Sequence, residues 1–390
     1  MKGDVISYHT LMRVGFTNET AKGENRVSLT PDVAKALIAK GFEVIGQRGA
    51  GECAGHSDED YAAVGVLLAT DADAVLGSAD IWLKVNAPSL SEIAAMGSGK
   101  TLVSFLFPTT NLPLITALVD KGVTSFAMDL VPRITRAQSM DALSAMSTIA
   151  GYKGALLAAE HLPKFFPMLM TAAGTLPPAK VLVIGAGVAG LQAIATCRRL
   201  GAIVEAFDVR PAVKEQVESL GAKFVAMQII SDEAQDASGY AKEVSADTHS
   251  KELDLIASRM AKNDVVITTA LIPGRPAPTL ITKEMLKRMP RGSVIIDLAA
   301  PNGGNCEATV PGEIVHVDGV KVVGPTQLLS EMAADASSMY AKNIAAFLLN
   351  LAPSAALNID REDQIIRESL VTFESKVQHE PTRLLLEAKR

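Results

Sequence analysis

The segment from Lys180 to Gly190 limits the possible folds of this chain more than any other stretch. Lys180-Val-Leu-Val-Ile184 is a short apolar run, Gly185-Ala-Gly187-Val-Ala-Gly190 follows at once, and a helical apolar pattern continues to about Leu200. A strand that turns through three glycines into a helix uses each one differently. Gly185 permits the tight turn, Gly187 leaves the backbone open to close approach, and Gly190 lets helix and strand pack tightly. The helix N-terminus then offers unpaired N–H groups and a positive dipole end to an anion. The next strand, Ile203-Val-Glu-Ala-Phe207, is followed by Asp208. An acid there accepts hydrogen bonds from an adenosine ribose and repels a 2′-phosphate, so the two features together predict a dinucleotide site favouring NAD over NADP. Arg210 weakens that preference, since an arginine at this place also suits a phosphate.

At 390 residues the chain exceeds one comfortable core, which predicts two domains. Aromatic residues are only 4%, so the cores must be built from Ala, Val, Leu, Ile and Met. A formal charge of -6 carries no basic excess and argues against nucleic acid as a partner. Cys53, Cys197 and Cys306 are far apart and lack any CxxC pairing, which points to reduced thiols in a cytosol-like compartment. The histidines are equally scattered, and no metal is expected. Met1 to Thr10 lacks the cationic start and apolar core of a secretory signal. The most apolar stretch, Ile344 to Ile359, is broken by Asn350, Pro353 and Ser354, so no membrane span is predicted.

Elsewhere short apolar runs alternate with helical patterns. Arg13 to Phe16, Phe42 to Gly46, Ile81 to Val85, Leu102 to Leu106 and Thr124 to Met128 read as strands in the first third; Val265 to Thr268, Ser293 to Asp297 and Lys321 to Val323 follow the glycine turn. Such alternation implies parallel sheets with helices on both faces. The expected fold is α/β, two doubly wound Rossmann-like domains with a cleft between them. Residues 1–140 with 330–390 form the first, 141–329 the second. A long helix from about Arg136 to Phe166 is expected to bridge them, with Thr175-Leu-Pro-Pro178 as a breaker. The polar stretch from Met227 to about His249 reads as a functional loop, and the region from Leu328 has helical spacing.

Several longer motifs carry a resemblance. Gly23-Glu-Asn-Arg-Val-Ser-Leu-Thr-Pro31, Gly49-Ala50-Gly51 and Leu83-Lys84-Val85 resemble the superfamily of alanine dehydrogenases and transhydrogenase NAD-binding subunits. Pro132-Arg-Ile-Thr-Arg-Ala-Gln-Ser-Met-Asp141, Met168 to Gly174, the Val-Ala-Gly-Leu-Gln version of the glycine turn, and Thr268-Thr-Ala-Leu-Ile-Pro-Gly274 are similar to the transhydrogenase branch. The resemblance implies that Arg133, Gln138, Asp141 and Ser144 surround a nicotinamide and its ribose, with Ile134, Thr135 and Leu143 in the same loop. It places Val188 at the phosphate turn, Asp208, Val209 and Arg210 at the adenosine ribose, Leu271 and Gly239 at the adenine, and Tyr240 on a loop closing over bound nucleotide. Physical chemistry permits these roles. Arg133 is a fixed charge, Asp141 can pair with it or accept from a carboxamide, and neutral Gln138 touches hydroxyls without trapping charge.

Alanine dehydrogenases carry a proton-shuttling histidine after the fourth strand; this chain has Phe105-Leu-Phe-Pro-Thr109 there. Arg26 and Lys84 stand where those enzymes bind a carboxylate, and read here as retained scaffold pairing with acids. Hydride transfer between two nicotinamides needs proximity and exclusion of water rather than an acid–base dyad. The resemblance therefore implies an NAD(H)-binding component of a proton-translocating transhydrogenase, its dihydronicotinamide near Gln138 in the domain cleft. The partners implied are an NADP(H)-binding component, a membrane-spanning subunit, and a second copy in a homodimer at the inner membrane. A stand-alone amino-acid dehydrogenase and an NAD(H)-sensing module remain as alternatives.

Overall fold

The computed structural model describes residues 11–226, 246–271 and 275–389. The chain divides into two units. One runs to Ala145 and resumes at Ser330; the other is Met146–Leu329.

Strands such as Ile81–Leu83 and Val265–Thr268 are buried at every position. That pattern belongs to parallel strands covered on both faces, where no polar alternation is needed. In the first unit eight strands form one sheet, in the order Lys376–Val377, Leu370–Phe373, Thr124–Ala127, Thr101–Ser104, Ile81–Leu83, Arg13–Phe16, Glu43–Gln47, Leu67–Ala69. All pairings are parallel except those made by the last two strands of the chain. In the second unit the order is Lys223–Val225, Ile203–Phe207, Lys180–Ile184, Val265–Thr268, Val294–Asp297, Val320–Val323, Ile314–Val317. Only Ile314–Val317, on the edge, is antiparallel. Both are doubly wound Rossmann-like sheets. The order of the second reverses direction at Lys180–Ile184, which lies between Ile203–Phe207 and Val265–Thr268. Ligands of such sheets bind outside the carboxyl ends of the strands at this reversal.

Local sequence explains the deviations from expectation. The long helix occupies only Ala142–His161, after a 3-10 turn over Thr135–Met140. Pro163 disfavours helical geometry at Leu162 and so closes the last turn. Beyond it Leu169–Thr171 and Gly174–Leu176 form a hairpin, with Gly174 at φ +120 making the reversal. The stretch expected as an interdomain breaker is thus partly strand and lies inside the second unit. The C-terminal region is helical over Ala333–Leu351 and Gln364–Ser369, but Leu370-Val-Thr-Phe373 is a strand. Its β-branched and aromatic residues suit a pleated surface, and Thr372 Oγ1 lies 2.6 Å from Ser125 Oγ and donates to the Val123 carbonyl at 2.7 Å. Among the described residues no helix is long and apolar enough to cross a membrane.

Candidate functional site

The glycine turn stands at the strand-order reversal, and each glycine meets a different constraint. Gly185 has φ +93, a conformation an L side chain rarely adopts. A Cβ on Gly190 would lie 1.9 Å from the Gly185 carbonyl oxygen, so only hydrogen fits. Gly187 is the opposite case: nothing lies within 4 Å of an added Cβ, and its φ of -77 is ordinary. Its glycine identity keeps open the space in front of the helix Val188–Arg199. Gly187 is the N-cap of that helix and makes no side-chain cap, so the first-turn N–H groups face this space with the helix dipole behind them. The cradle fits a pyrophosphate. The long helix supports it from behind, since a Cβ on Gly151 would come 2.1 Å from the Ala189 carbonyl oxygen.

Thr269, within the Thr268–Gly274 motif but not singled out from sequence, fastens the turn from the neighbouring strand. Its N–H donates to the Ile184 carbonyl at 2.9 Å, and its Oγ1 donates to the Gly185 carbonyl at 3.0 Å. Val188 and Leu271 are solvent-exposed apolar residues of this unit. Gly239 and Tyr240 lie outside the described residues, as do residues 272–274.

Asp208 is buried, and its environment qualifies the simple ribose reading. One oxygen accepts from the Ala186 N–H at 2.7 Å and Arg210 Nη2 at 2.7 Å. The other accepts from the Arg210 N–H at 2.8 Å and Nε at 2.9 Å. Each carboxylate oxygen already accepts two hydrogen bonds. A ribose hydroxyl would compete with the Arg210 fork for them. Arg210, expected beside Asp208 at the adenosine ribose, is folded back onto Asp208. Asp208→Asn is expected to weaken NADH binding about tenfold, about 1.4 kcal/mol, and to narrow the gap between NADH and NADPH. Calorimetric titration with both nucleotides checks this, and unchanged NADH affinity counts against the assignment.

The remaining predicted residues lie in the first unit. Asp141 precedes the helix Ala142–His161 and accepts from the Ser144 N–H at 2.9 Å and the Ser144 hydroxyl at 2.6 Å, a capping arrangement. Arg133, Thr135 and Gln138 are exposed; Ile134 and Leu143 are half-buried. The loop is tied down between them. Arg136 forks onto Asp363 at 2.9 and 2.6 Å, and Asn343 donates to the Ser139 carbonyl at 2.8 Å. Arg136 holds the Asp363 carboxyl at about 2. Gln138 is thus presented on an anchored turn, with its amide free of any bond to these anchoring groups.

Arg26 and Lys84 are each held by the unit's own acids. Lys84 is 1% exposed and lies 3.2 Å from Glu19 and 3.1 Å from Glu92. Arg26 reaches Glu24 through Nε at 2.8 Å and Nη2 at 2.6 Å. Burial pushes Glu24 up, but Arg26 and Asn86 outweigh it and hold the carboxyl at about 2. Where a proton-shuttling histidine was absent from the sequence, exposed Phe107 sits at φ 44, stacked on Phe105, its N–H on Asp129. Among the described residues no group of three metal-binding side chains occurs.

A glycine turn at the reversal point of a doubly wound sheet, with an acid closing the adjacent strand, defines a dinucleotide-binding protein of the Rossmann class. The family follows from two matches. Residues 15–150 match the family described as "Alanine dehydrogenase/PNT, N-terminal domain", and residues 154–380 match its C-terminal domain. The chain belongs to that family. It is 46% identical over 379 residues to an NAD(P) transhydrogenase alpha subunit of Rhodospirillum rubrum, covering 94% of this chain and 98% of the relative. It is 47% identical over 376 residues to "NAD(P) transhydrogenase subunit alpha" of Cereibacter sphaeroides, covering 95% of this chain and 72% of the relative. The crystal structure of a transhydrogenase from Sinorhizobium meliloti superposes with a TM-score of 0.85 at 44% identity, covering 94% of this chain and 99% of that one.

Proposed function

We propose that this chain is the NAD(H)-binding component of a proton-translocating NAD(P) transhydrogenase. The cofactor is NAD(H). The observation that carries the reading is the open cradle at Gly187, backed by matches that cover 94–95% of this chain and 72–98% of the transhydrogenase alpha subunits. The reaction passes a hydride from C4 of NADH to C4 of NADP⁺, or in reverse, so one nicotinamide is oxidised as the other is reduced and no proton is exchanged at either carbon. The residues here supply position rather than acid–base chemistry. Gly185 to Gly190 hold the phosphates and Asp208 with Val209 and Arg210 the adenosine ribose. Leu271 and Gly239 serve the adenine side, and Tyr240 belongs to a loop that closes over the bound nucleotide. Arg133, Gln138, Asp141 and Ser144 serve the nicotinamide and its ribose, with Ile134, Thr135 and Leu143 shaping their loop. NADP(H) is held by a partner component, and a membrane-spanning subunit couples transfer to protons. A homodimer attached peripherally to the inner membrane completes the assignment.

The buried pairings of Arg26 and Lys84 speak against the alternative of a stand-alone amino-acid dehydrogenase. Both cations are neutralised by Glu24, Glu19 and Glu92, so a substrate carboxylate would have to displace an internal one. The decisive test mixes the purified chain with an NADP(H)-binding transhydrogenase component and follows hydride exchange between nucleotides. Gln138→Asn shortens the side chain by one methylene on a fixed turn. It is expected to lower the transfer rate at least about tenfold while NADH affinity changes little, because misplacement of reacting groups costs rate steeply. Unimpaired transfer in the reconstituted mixture would count against the loop's role. Oxidation of alanine by the chain alone would favour the dehydrogenase reading.

A further inference from the structure

Asp297 ends the strand Val294–Asp297, beside Thr268 on the neighbouring strand. It is fully buried and accepts five hydrogen bonds, all from neutral donors. Thr268 Oγ1 and the Ala299 N–H reach one oxygen at 2.9 and 3.1 Å. The N–H groups of Asn305 and Cys306 and the Thr309 hydroxyl reach the other at 2.7, 3.0 and 2.6 Å. Gly304 makes this possible: it has φ +86, and a Cβ there would lie 2.7 Å from the Asp297 carboxylate. The carboxylate therefore nails down the backbone of Asn305.

Asn305 in turn holds the segment that fastens the glycine turn. Its side chain is fully buried. Its Oδ1 accepts from the Ala270 N–H at 3.1 Å, and its Nδ2 donates to the Ala270 carbonyl at 2.9 Å and the Pro278 carbonyl at 2.8 Å. The amide thus pairs with both polar groups of Ala270 as a neighbouring strand would, and holds the Pro278 carbonyl as well. Ala270 directly follows Thr269, whose hydroxyl holds the Gly185 carbonyl. A continuous path runs from Asp297 through Asn305 and Thr269 to the turn, and each step is a hydrogen bond or a peptide bond. Few side chains other than an amide present one acceptor and a two-proton donor in this geometry.

We propose that Asn305 is a positioning residue for the nucleotide site, holding Ala270 and with it Thr269 against the glycine turn; this rests on the reading of the turn as an NAD(H) cradle. Asn305→Asp keeps the shape and the oxygen facing the Ala270 N–H, but sets a carboxylate oxygen against the two carbonyls that Nδ2 now serves. When that carboxyl group is protonated, its O–H again donates to one of them. Calorimetric titration of the full chain with NADH is expected to show at least about tenfold weaker binding than the unaltered chain near pH 8, the ratio closing as pH falls toward about 5.5. A general loss of structure would not recover in that direction. Should Asn305→Asp fail to fold, Thr309→Val removes one donor from Asp297 and leaves every backbone bond in place; a loss of about threefold is expected. NADH binding by the unaltered chain, with both folded variants within twofold of it at every pH, overturns this inference alone. No NADH binding by the unaltered chain overturns the cradle reading and this inference together.

Discussion

Gly187→Ala is expected to leave the melting temperature of the nucleotide-free chain unchanged or slightly raised, and to weaken NADH binding about a hundredfold, about 2.8 kcal/mol. The fold has no objection to the substitution. Backbone angles at Gly187 suit any residue, and no atom lies within 4 Å of the new methyl group. Replacing glycine where its angles are ordinary also restricts the unfolded chain, which favours the folded state by about 0.4–1 kcal/mol. What the methyl group fills is the space that the proposed function gives to a phosphate, in front of the first-turn N–H groups. Gly190→Ala is the counterpart. There the methyl group collides with the Gly185 carbonyl at 1.9 Å, so both melting temperature and NADH affinity fall. Overpacking of this kind costs about 1–3 kcal/mol. Thermal melts and calorimetry on the two variants separate fold from binding. If Gly187→Ala binds NADH normally, the open space is not the phosphate site, and the proposed function loses its main support.

This contrast marks what is legible in the residues alone. The spacing of Gly185, Gly187 and Gly190 carries three separate physical demands, and the structure shows a separate cause for each. Asp208 is equally visible as an acid closing an apolar strand. Its pairing with Arg210 is not, because a fork between residues two apart depends on how the chain bends after Phe207. Asp297 displays the same signature as Asp208, an acid ending an apolar strand; nothing in spacing says that one pairs with an arginine while the other is held by five neutral donors. The long parallel strands are recognisable because burial on both faces makes them continuous apolar runs. Leu67–Ala69 is a short edge piece whose pairing with Ile45–Gln47 joins residues more than twenty apart, and Lys376–Val377 is a two-residue hairpin return too short to show a pattern. The helix that stops at His161 reads as longer in sequence because its apolar period continues past Pro163, and only the backbone constraint of that proline ends it.

Lys84→Met is expected to destabilise the chain by about 3–5 kcal/mol at neutral pH, with a much smaller deficit near pH 4. The ammonium of Lys84 lies between Glu19 and Glu92, both removed from water. Methionine keeps an unbranched stem of nearly the same reach but leaves two carboxylates facing an apolar group. Burial already pushes Glu19 above the ordinary carboxylate range, against the pull of Lys84 and the backbone N–H groups of Val85 and Asn86. Taking Lys84 away removes the largest opposing influence, so Glu19 keeps its proton to higher pH. A group whose folded pKa is raised gives stability that is complete below its unfolded value and is lost as pH rises through the folded one. Glu92 is shifted the other way, burial being outweighed by Lys84 and Ser89, and so adds stability above its unfolded value. Losing Lys84 cancels that gain. Both carboxylates therefore make the deficit grow as pH rises from about 4 to about 7, where the unaltered chain keeps its ion pairs. Denaturant melts of the two proteins across that range measure the difference directly. A deficit independent of pH would mean that Lys84 contributes packing alone, and that its two acids do not depend on its charge.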